Sequence, residues 1–578
     1  MAKKSDNKLD EDGLAIAKTV SSQLVSDYST LRENQKECEA AYFMDWSEQP
    51  AGVTKLTINP DPHNKVRGGT RLLSNTSPTF NVPVAKNSTD AGDKSSICEK
   101  AANAMWIGSN LAQGINAERD IAHSALLYGE MHLRIISTGD MLEAAKKAKT
   151  ENKVESATLL LDASVKNLEN IKKRTPFLFE PLSAMSCYAR RSRAGLEAHF
   201  QKVEMTVADV IVAWGGDGLR VLAGRKTYEI VELNTFYDKA SVYVWVTGEN
   251  EAIFAGPHGL DFIPIAYYSP EGSTTYKERE RAIIPFLYPV IKSGVWQRQN
   301  LFLTVAATNA AALMNAQFVL EQSNPDDTVI IDLNTLGGVL KVPPGAKLYP
   351  LAKEIINPEI VQQYQMYNQL MDESTIFDQT LGQPLEGNAT FSATALMHQA
   401  GRLPLNPIKE GMASLFADAM GIAFRWLKVE GKTSISGMDG TAIEIDKSQI
   451  PEALNFSVNV DIALPNDKLQ QAQTALAIDQ AGLASKEWQR ENILNIGQSD
   501  QEQSKIWREQ MANAAAQTVF PPFIQRLMEQ MGLSAPVPGG ETTPDQTTPS
   551  ANPAGPQTET PPIEPTQPIP NGMMPSGQ

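Results

Sequence analysis

The stretch from Gln299 to Leu320, QNLFLTVAATNAAALMNAQFVL, carries no charged side chain. It is long enough to cross a bilayer. However, Asn300, Asn309, Asn315, Gln317 and two threonines interrupt it, and every polar amide costs free energy in hydrocarbon. The composition predicts a long helix packed between like helices, with no stable membrane insertion. The uncharged face from Leu301 to Phe318 invites packing against a copy of itself, and repeated contacts of this kind close into rings.

Upstream, YKERERAIIPFLYPVIKSGVWQR carries Pro285 and Pro289, so the uninterrupted helix is predicted to begin near Val290. Downstream, residues 317–352 read as a compact turn-and-strand unit, with a Gly337-Gly338 turn and a Pro343-Pro344 stop. A second helix is predicted from about Pro358 to Phe377. Next comes LGQPLEGNATFSATALMHQAGRLPLNPIKEGMASLF, residues 381–416. This stretch opens as a nearly uncharged loop and continues as an apolar helix, where Pro404 and Pro407 predict a bend.

The earlier chain alternates helix and strand. Residues 1–45 read as amphipathic helix and 46–90 as extended loop. Residues 95–128 read as one helix, with Gly129 ending it, and EMHLRII follows as a strand. The charge-rich segment 140–175 reads as a helical hairpin with a solvated outer face. Residues 176–270 turn to β, with TYEIVELNTF and SVYVWVTGE flanking a turn at Tyr237–Ala240 and a short strand around Pro264. Beyond the bent helix, LNFSVNVDIAL at 454–464 reads as a strand and 466–518 as helix. From about residue 535 the chain is Pro, Thr, Gln and Gly without Lys or Arg, and is expected to be disordered. The fold class predicted is α+β.

The 578 residues suggest about two to four domain-sized units. With 42% hydrophobic residues the chain has enough apolar surface for a sizeable core. Its formal net charge is −16. A protein that grips phosphates shows a basic surplus, so any DNA it meets should pass rather than be held. Cys38, Cys98 and Cys187 have no close spacing, which predicts neither a disulfide framework nor a zinc cluster. The N-terminus MAKKSDNKLDEDGLA has no apolar run behind its basic residues, so a secretory signal is not expected.

Catalytic chemistry is hard to find. The six histidines are scattered, and His123 and His132 read as ordinary packed residues. No nucleophile elbow is present. Gly431-Lys432-Thr433 lacks the earlier glycine of a phosphate loop, because Trp426 stands there. Gly68-Gly69, beside Arg67 and Arg71, reads as an ordinary loop rather than an anion nest. Asp326, Asp327 and Asp332 read as a solvated rim rather than a metal site. The expectation is a non-enzymatic protein with no cofactor and no metal.

Three further segments complete the pattern. AERDIAHSALLYGEMHLRII (117–136) runs from helix through glycine into strand. VELNTFYDKASVYVWVTGENEAIFAGPHGLDFIPIAYYSPEG (231–272) is a hairpin followed by an IPI strand. LPNDKLQQAQTALAIDQAGLASKEWQRENILNIG (464–497) is helical. Taken with the helix–compact unit–helix–loop–bent helix series, this order resembles the portal proteins of tailed double-stranded DNA bacteriophages over about residues 10–515. It lies in order and texture, not in a short signature.

The resemblance implies a wing at 1–273, with the 140–175 hairpin as an insertion absent from the simplest portals. It implies a first stem-helix region at 274–316, a clip at 317–352, a second stem helix at 353–378 and a tunnel loop at 379–391. A kinked wing helix with strands then covers 392–464, crown helices 465–534 and a tail 535–578. Thr380, Gly382, Gln383, Glu386, Gly387, Asn388 and Thr390 would belong to the loop facing DNA. Lys292, Arg298 and Lys353 would be channel-lining candidates, and Asp326, Asp327, Asp332, Lys341 and Lys347 clip contacts. The implied assembly is a homo-oligomeric ring of twelve at one capsid vertex of the virion, assembled in the host cytoplasm. It would nucleate procapsid assembly and pass double-stranded DNA in packaging and ejection. Its implied partners are terminase, major capsid or scaffolding protein, and a head–tail adaptor. The competing readings are another head–tail structural protein and a pore-forming membrane protein.

Overall fold

The computed structural model describes residues 10–46, 56–83, 89–151, 155–192, 195–222, 224–249, 251–271, 278–314, 318–321, 347–350, 358–377, 401–431, 433–436, 442–452, 454–460, 476, 506–508 and 510–511. The chain divides into two compact units, Met1–Ser485 and Lys486–Gln578. In the second, the described residues are helical. All that follows concerns the first, which is α+β as expected.

A five-stranded antiparallel sheet forms from β4 (Cys187–Ser192), β5 (Gly195–Thr206), β6 (Ile230–Asp238), β7 (Ser241–Val246) and β8 (Ala252–Pro257), in that order. Period-two alternation sorts its side chains. In β7, Tyr243 and Trp245 meet α1 (Glu11–Asp27) through Ala17 and Leu24. Val242, Val244 and Val246 face the opposite way, onto Val207, Val210 and Ile211 of α8 (Val207–Val221). Burial on both faces is why SVYVWV is so apolar. The reading of 176–270 as β is therefore corrected by α8, whose N-cap Thr206 accepts a hydrogen bond from the Asp209 N–H.

A three-stranded antiparallel sheet, β3 (Phe177–Leu182), β2 (Met131–Ser137) and β9 (Ile265–Tyr268), has β2 in the middle. Helix α13 (Asn406–Glu430) packs on it. Ile408, Met412, Leu415, Phe416, Ala419, Met420, Ala423 and Leu427 are buried along α13 at three- and four-residue spacing. A 3-10 turn at Leu403–Leu405, containing Pro404, precedes it. The sequence predicts one bent helix through Pro404 and Pro407; Pro404 lies in this 3-10 turn and Pro407 in the first turn of α13.

Four expectations need further comment. The single helix 95–128 is two, α4 (Thr89–Gln113) and α5 (Ala117–Tyr128), because Asn116 caps α5 by accepting from the Arg119 N–H at 2.8 Å. The extended reading of 46–90 is broken by α3 (Asp61–Leu73), which starts on a proline and an aspartate. Gly68-Gly69 is thus helical, neither loop nor nest, and a Cβ on Gly69 would lie 3.0 Å from Ile376. The helical hairpin is present as α6 (Thr138–Glu151) and α7 (Glu155–Arg174), but α6 also packs on α8. The uninterrupted long helix begins at Val295, not near Val290: α10 (Tyr288–Lys292) ends at a break where Gly294 has φ +73°.

Gly129 ends α5 in the left-handed region, φ +73°, and a Cβ there would stand 2.6 Å from the Ile284 carbonyl oxygen. Gly129→Val is expected to lower stability by ~2–4 kcal/mol in urea denaturation, from backbone strain and steric overlap together. A variant as stable as the parent would contradict this placement.

Candidate functional site: a docked helix pair and a buried polar joint

Residues 299–314 of the stretch that opened the sequence analysis lie in α11 (Val295–Met314), whereas its end, Phe318–Leu320, is strand and not helix. Helix α11 packs against α12 (Pro358–Ser374). The Gln299 amide donates to the Asn368 side-chain oxygen at 2.7 Å, and Phe302 stacks on Tyr367 with ring centroids 5.8 Å apart. A two-stranded antiparallel ribbon, β10 (Phe318–Glu321) and β11 (Lys347–Pro350), follows α11 and precedes α12.

The polar residues of α11 have partners. Residues 57–59 lie along it and exchange backbone hydrogen bonds with its side chains. The Asn59 N–H donates to Asn300 Oδ1 at 2.7 Å, and the Thr57 N–H to Thr304 Oγ1 at 3.0 Å. The Thr304 hydroxyl donates back to the Thr57 carbonyl at 3.1 Å, and Trp296 Nε1 to the Asn59 carbonyl at 3.2 Å. Gln299, Asn300 and Thr304 are fully buried. The amides that argued against lipid thus satisfy an irregular strand of the body. Farther along, the buried Lys65 ammonium of α3 bonds both the Asp372 carboxylate and the Ile376 carbonyl, fixing the end of α12.

Apolar side chains stay exposed on both helices: Leu301 is 40% exposed, Val361 48%, Met366 49% and Leu370 38%. Met366 and Leu370 are one turn apart and share a face.

Of the channel candidates, Lys292 ends α10 with its ammonium 3.1 Å from the Glu37 carboxylate. Arg298 lies on α11, donates to the Tyr367 hydroxyl at 3.0 Å and stands over that ring. The two are not in one cluster. Lys347 is exposed and opens β11 opposite Glu321. Lys353, the whole 379–391 loop with Thr380, Gly382, Gln383, Glu386, Gly387, Asn388 and Thr390, and Asp326, Asp327, Asp332 and Lys341 lie outside the described residues.

Sequence reading missed a buried polar joint between the two sheets. Arg32, on α2 (Ser29–Tyr42), pairs with Glu130 at 2.6 Å and also donates to Gln35 and to the Cys187 carbonyl. Glu130 sits just before β2 and is fully buried. Burial pushes its carboxyl up, but Arg32 and His132 outweigh that and hold it below the ordinary range. His132 of β2 lies 3.1 Å from His199 of β5, Nδ1 to Nε2. Burial, then His132 and Arg134, lower His199 well below the usual imidazole value, leaving it neutral. Burial pushes the Cys187 thiol up to about 12. No spacing rule links residues 132, 187 and 199; only strand pairing and sheet packing bring them together.

No protein-family model matches the chain, and no curated protein matches it. Some solved structures are similar. A chain from the virion of a native gene transfer agent particle aligns at TM-score 0.38 and 11% identity, covering 79% of this chain and 97% of that one. A chain from the neck of an empty gene transfer agent particle, computed with C6 symmetry, aligns at 0.39 and 10%, covering 76% and 96%. A chain from the neck of the native particle, computed with C12 symmetry, aligns at 0.34 and 10%, covering 76% and 95%. At these values the likeness carries no argument about what this chain does.

Asn300→Ala removes the acceptor for the buried Asn59 N–H. We expect a loss of ~1–3 kcal/mol in chemical denaturation, the cost of stranding a buried donor. Undiminished stability would mean that residues 57–59 do not dock on α11.

Proposed function

We propose that this chain is a portal-type subunit of a phage-like virion, copies of which close into a ring that conducts double-stranded DNA. The observation that carries this reading is the helix pair α11–α12 with a two-stranded ribbon between its members in the chain. Helix α11 is bolted to the body by hydrogen bonds, and Met366 and Leu370, one turn apart on α12, share an exposed face. An apolar helix face left open on a single chain favours a protein partner. Repeated contacts between unlike faces of identical copies close into rings.

Charge supports passage of DNA rather than binding. Copies each carrying −16 sum to a strongly negative field, which repels phosphates from a channel wall. Residues 317–352 would dock terminase during packaging and the adaptor afterwards, with Lys347 at the exposed start of β11 among the contacts. Residues 379–391, with Glu386 as their one charge, would meet the duplex. Major capsid or scaffolding protein would surround the ring at the vertex. Among the described residues no helix is long and apolar enough to cross a membrane.

Negative-stain microscopy with native mass spectrometry tests the reading. Twelve chains of 63.1 kDa give a ring of about 760 kDa with a central hole. Met366→Glu combined with Leu370→Glu should leave helicity unchanged and drive the sizing profile to monomer. Gly382→Val with Gly387→Val should leave the ring intact and reduce packaged DNA. A parent protein that stays monomeric, or rings indifferent to the paired glutamates, would overturn the proposal.

A further inference from the structure

His132, Cys187 and His199 come from β2, β4 and β5, and so from both sheets. One ligand atom from each lies within 4.8 Å of the other two, and all three residues are buried. Two imidazole nitrogens bound to one tetrahedral ion, at bonds of ~2.0–2.1 Å, stand about 3.3 Å apart. His132 Nδ1 and His199 Nε2 are 3.1 Å apart, so little movement would admit an ion between them.

The surroundings fit as well. His132 Nε2, the nitrogen turned away from His199, faces Glu130 Oε2 at 3.4 Å. A carboxylate behind a ligating histidine fixes its tautomer and turns the other lone pair toward the metal. Glu130 is itself anchored by Arg32, and Arg134 is matched by Glu180 at 2.8 Å, so neither arginine leaves an unbalanced charge beside the site.

We propose that His132, Cys187 and His199 bind one thiophilic d10 cation, zinc(II) or copper(I), which ties the three-stranded sheet to the five-stranded sheet. One thiolate with two imidazoles suits these soft ions and disfavours magnesium or calcium. On binding, the Cys187 S–H bond breaks, its proton leaves to solvent and the sulfur keeps the electron pair that it donates to the metal. No electron is transferred. The role is structural, since the ligands are buried and bridge elements far apart in sequence; copper(I) can remain three-coordinate there, whereas zinc would take a water as its fourth ligand.

The test uses the full chain, expressed without added chelator and under reducing conditions. Elemental analysis after gel filtration should find one equivalent of zinc or copper per chain, and identifies which. Protein from zinc-depleted, cobalt-supplemented medium should show a thiolate-to-cobalt charge-transfer band. That band should survive Cys38→Ser and Cys98→Ser and vanish in Cys187→Ser, with the circular dichroism of all three unchanged. A strong chelator should lower the melting temperature of the parent but not of Cys187→Ser. Parent protein with less than about a tenth of an equivalent of any metal, and no cobalt band, overturns the proposal. So does a band that persists in Cys187→Ser. Should Cys187→Ser fail to fold, the parent's metal content and cobalt spectrum still decide.

Discussion

The ion pair between Arg32 and Glu130 lies where three parts of the fold meet. Arg32 belongs to α2, Glu130 leads into the three-stranded sheet, and the third contact of the guanidinium is the carbonyl of Cys187 in the five-stranded sheet. Removing two charges from water costs several kcal/mol per ion, so such a pair adds little net stability. Its consequence is positional. Shifting α2 by one turn would strand a buried charge, and breaking a buried pair costs about 3–5 kcal/mol. Gln35, which bonds Glu130 at 3.3 Å and the Tyr128 carbonyl at 2.6 Å, extends the same constraint to α5. Tyr28, under the guanidinium, shares both its hydroxyl hydrogen bonds with Ala189 of β4. Thus α1 is set on one face of the large sheet by contacts made at its far end.

The elements legible in the sequence were those whose local chemistry agrees with their packing. The β6–β7 turn was visible because Asp238 follows a β-rich run, and its carboxylate accepts from the Ala240 and Ser241 N–H groups. Gly129 was visible because a helix-to-strand switch needs a left-handed residue. The missed elements had mixed signals. Helix α3 contains Gly68-Gly69, poor helix formers, and a Cβ on Gly69 would press on the side chains of Ile376 and Leu126 at 3.0 and 3.1 Å. Helix α8 contains Trp214-Gly215-Gly216 inside a β-rich region, and its apolar face is defined only by the sheet it covers. The α4–α5 break was hidden because apolar spacing runs on through it. The buried joint was illegible in principle, since residues 32, 130, 132, 187 and 199 meet only after both sheets have formed.

The helix α11 shows why composition constrained function better than motifs did. The uncharged run that starts at Gln299 invites a membrane reading, yet its amides and hydroxyls are placed to receive groups from residues 57–59. The same helix hydrogen-bonds an irregular strand through Asn300 and Thr304 while Leu301 stays 40% exposed.

The two described cations beside that helix bear on the proposed channel. Lys292 is 43% exposed and within 3.1 Å of Glu37, and Arg298 leans on Tyr367. A cation already matched by a carboxylate adds almost nothing to the potential beyond ~8 Å at physiological salt. Around a ring of such subunits Arg298 would supply one unmatched positive charge per copy against a net of −16. If the proposed lumen is built this way, it would stay repulsive to phosphate on average, and a duplex moving through it would meet shallow attractive points on a repulsive wall, the condition for sliding without capture.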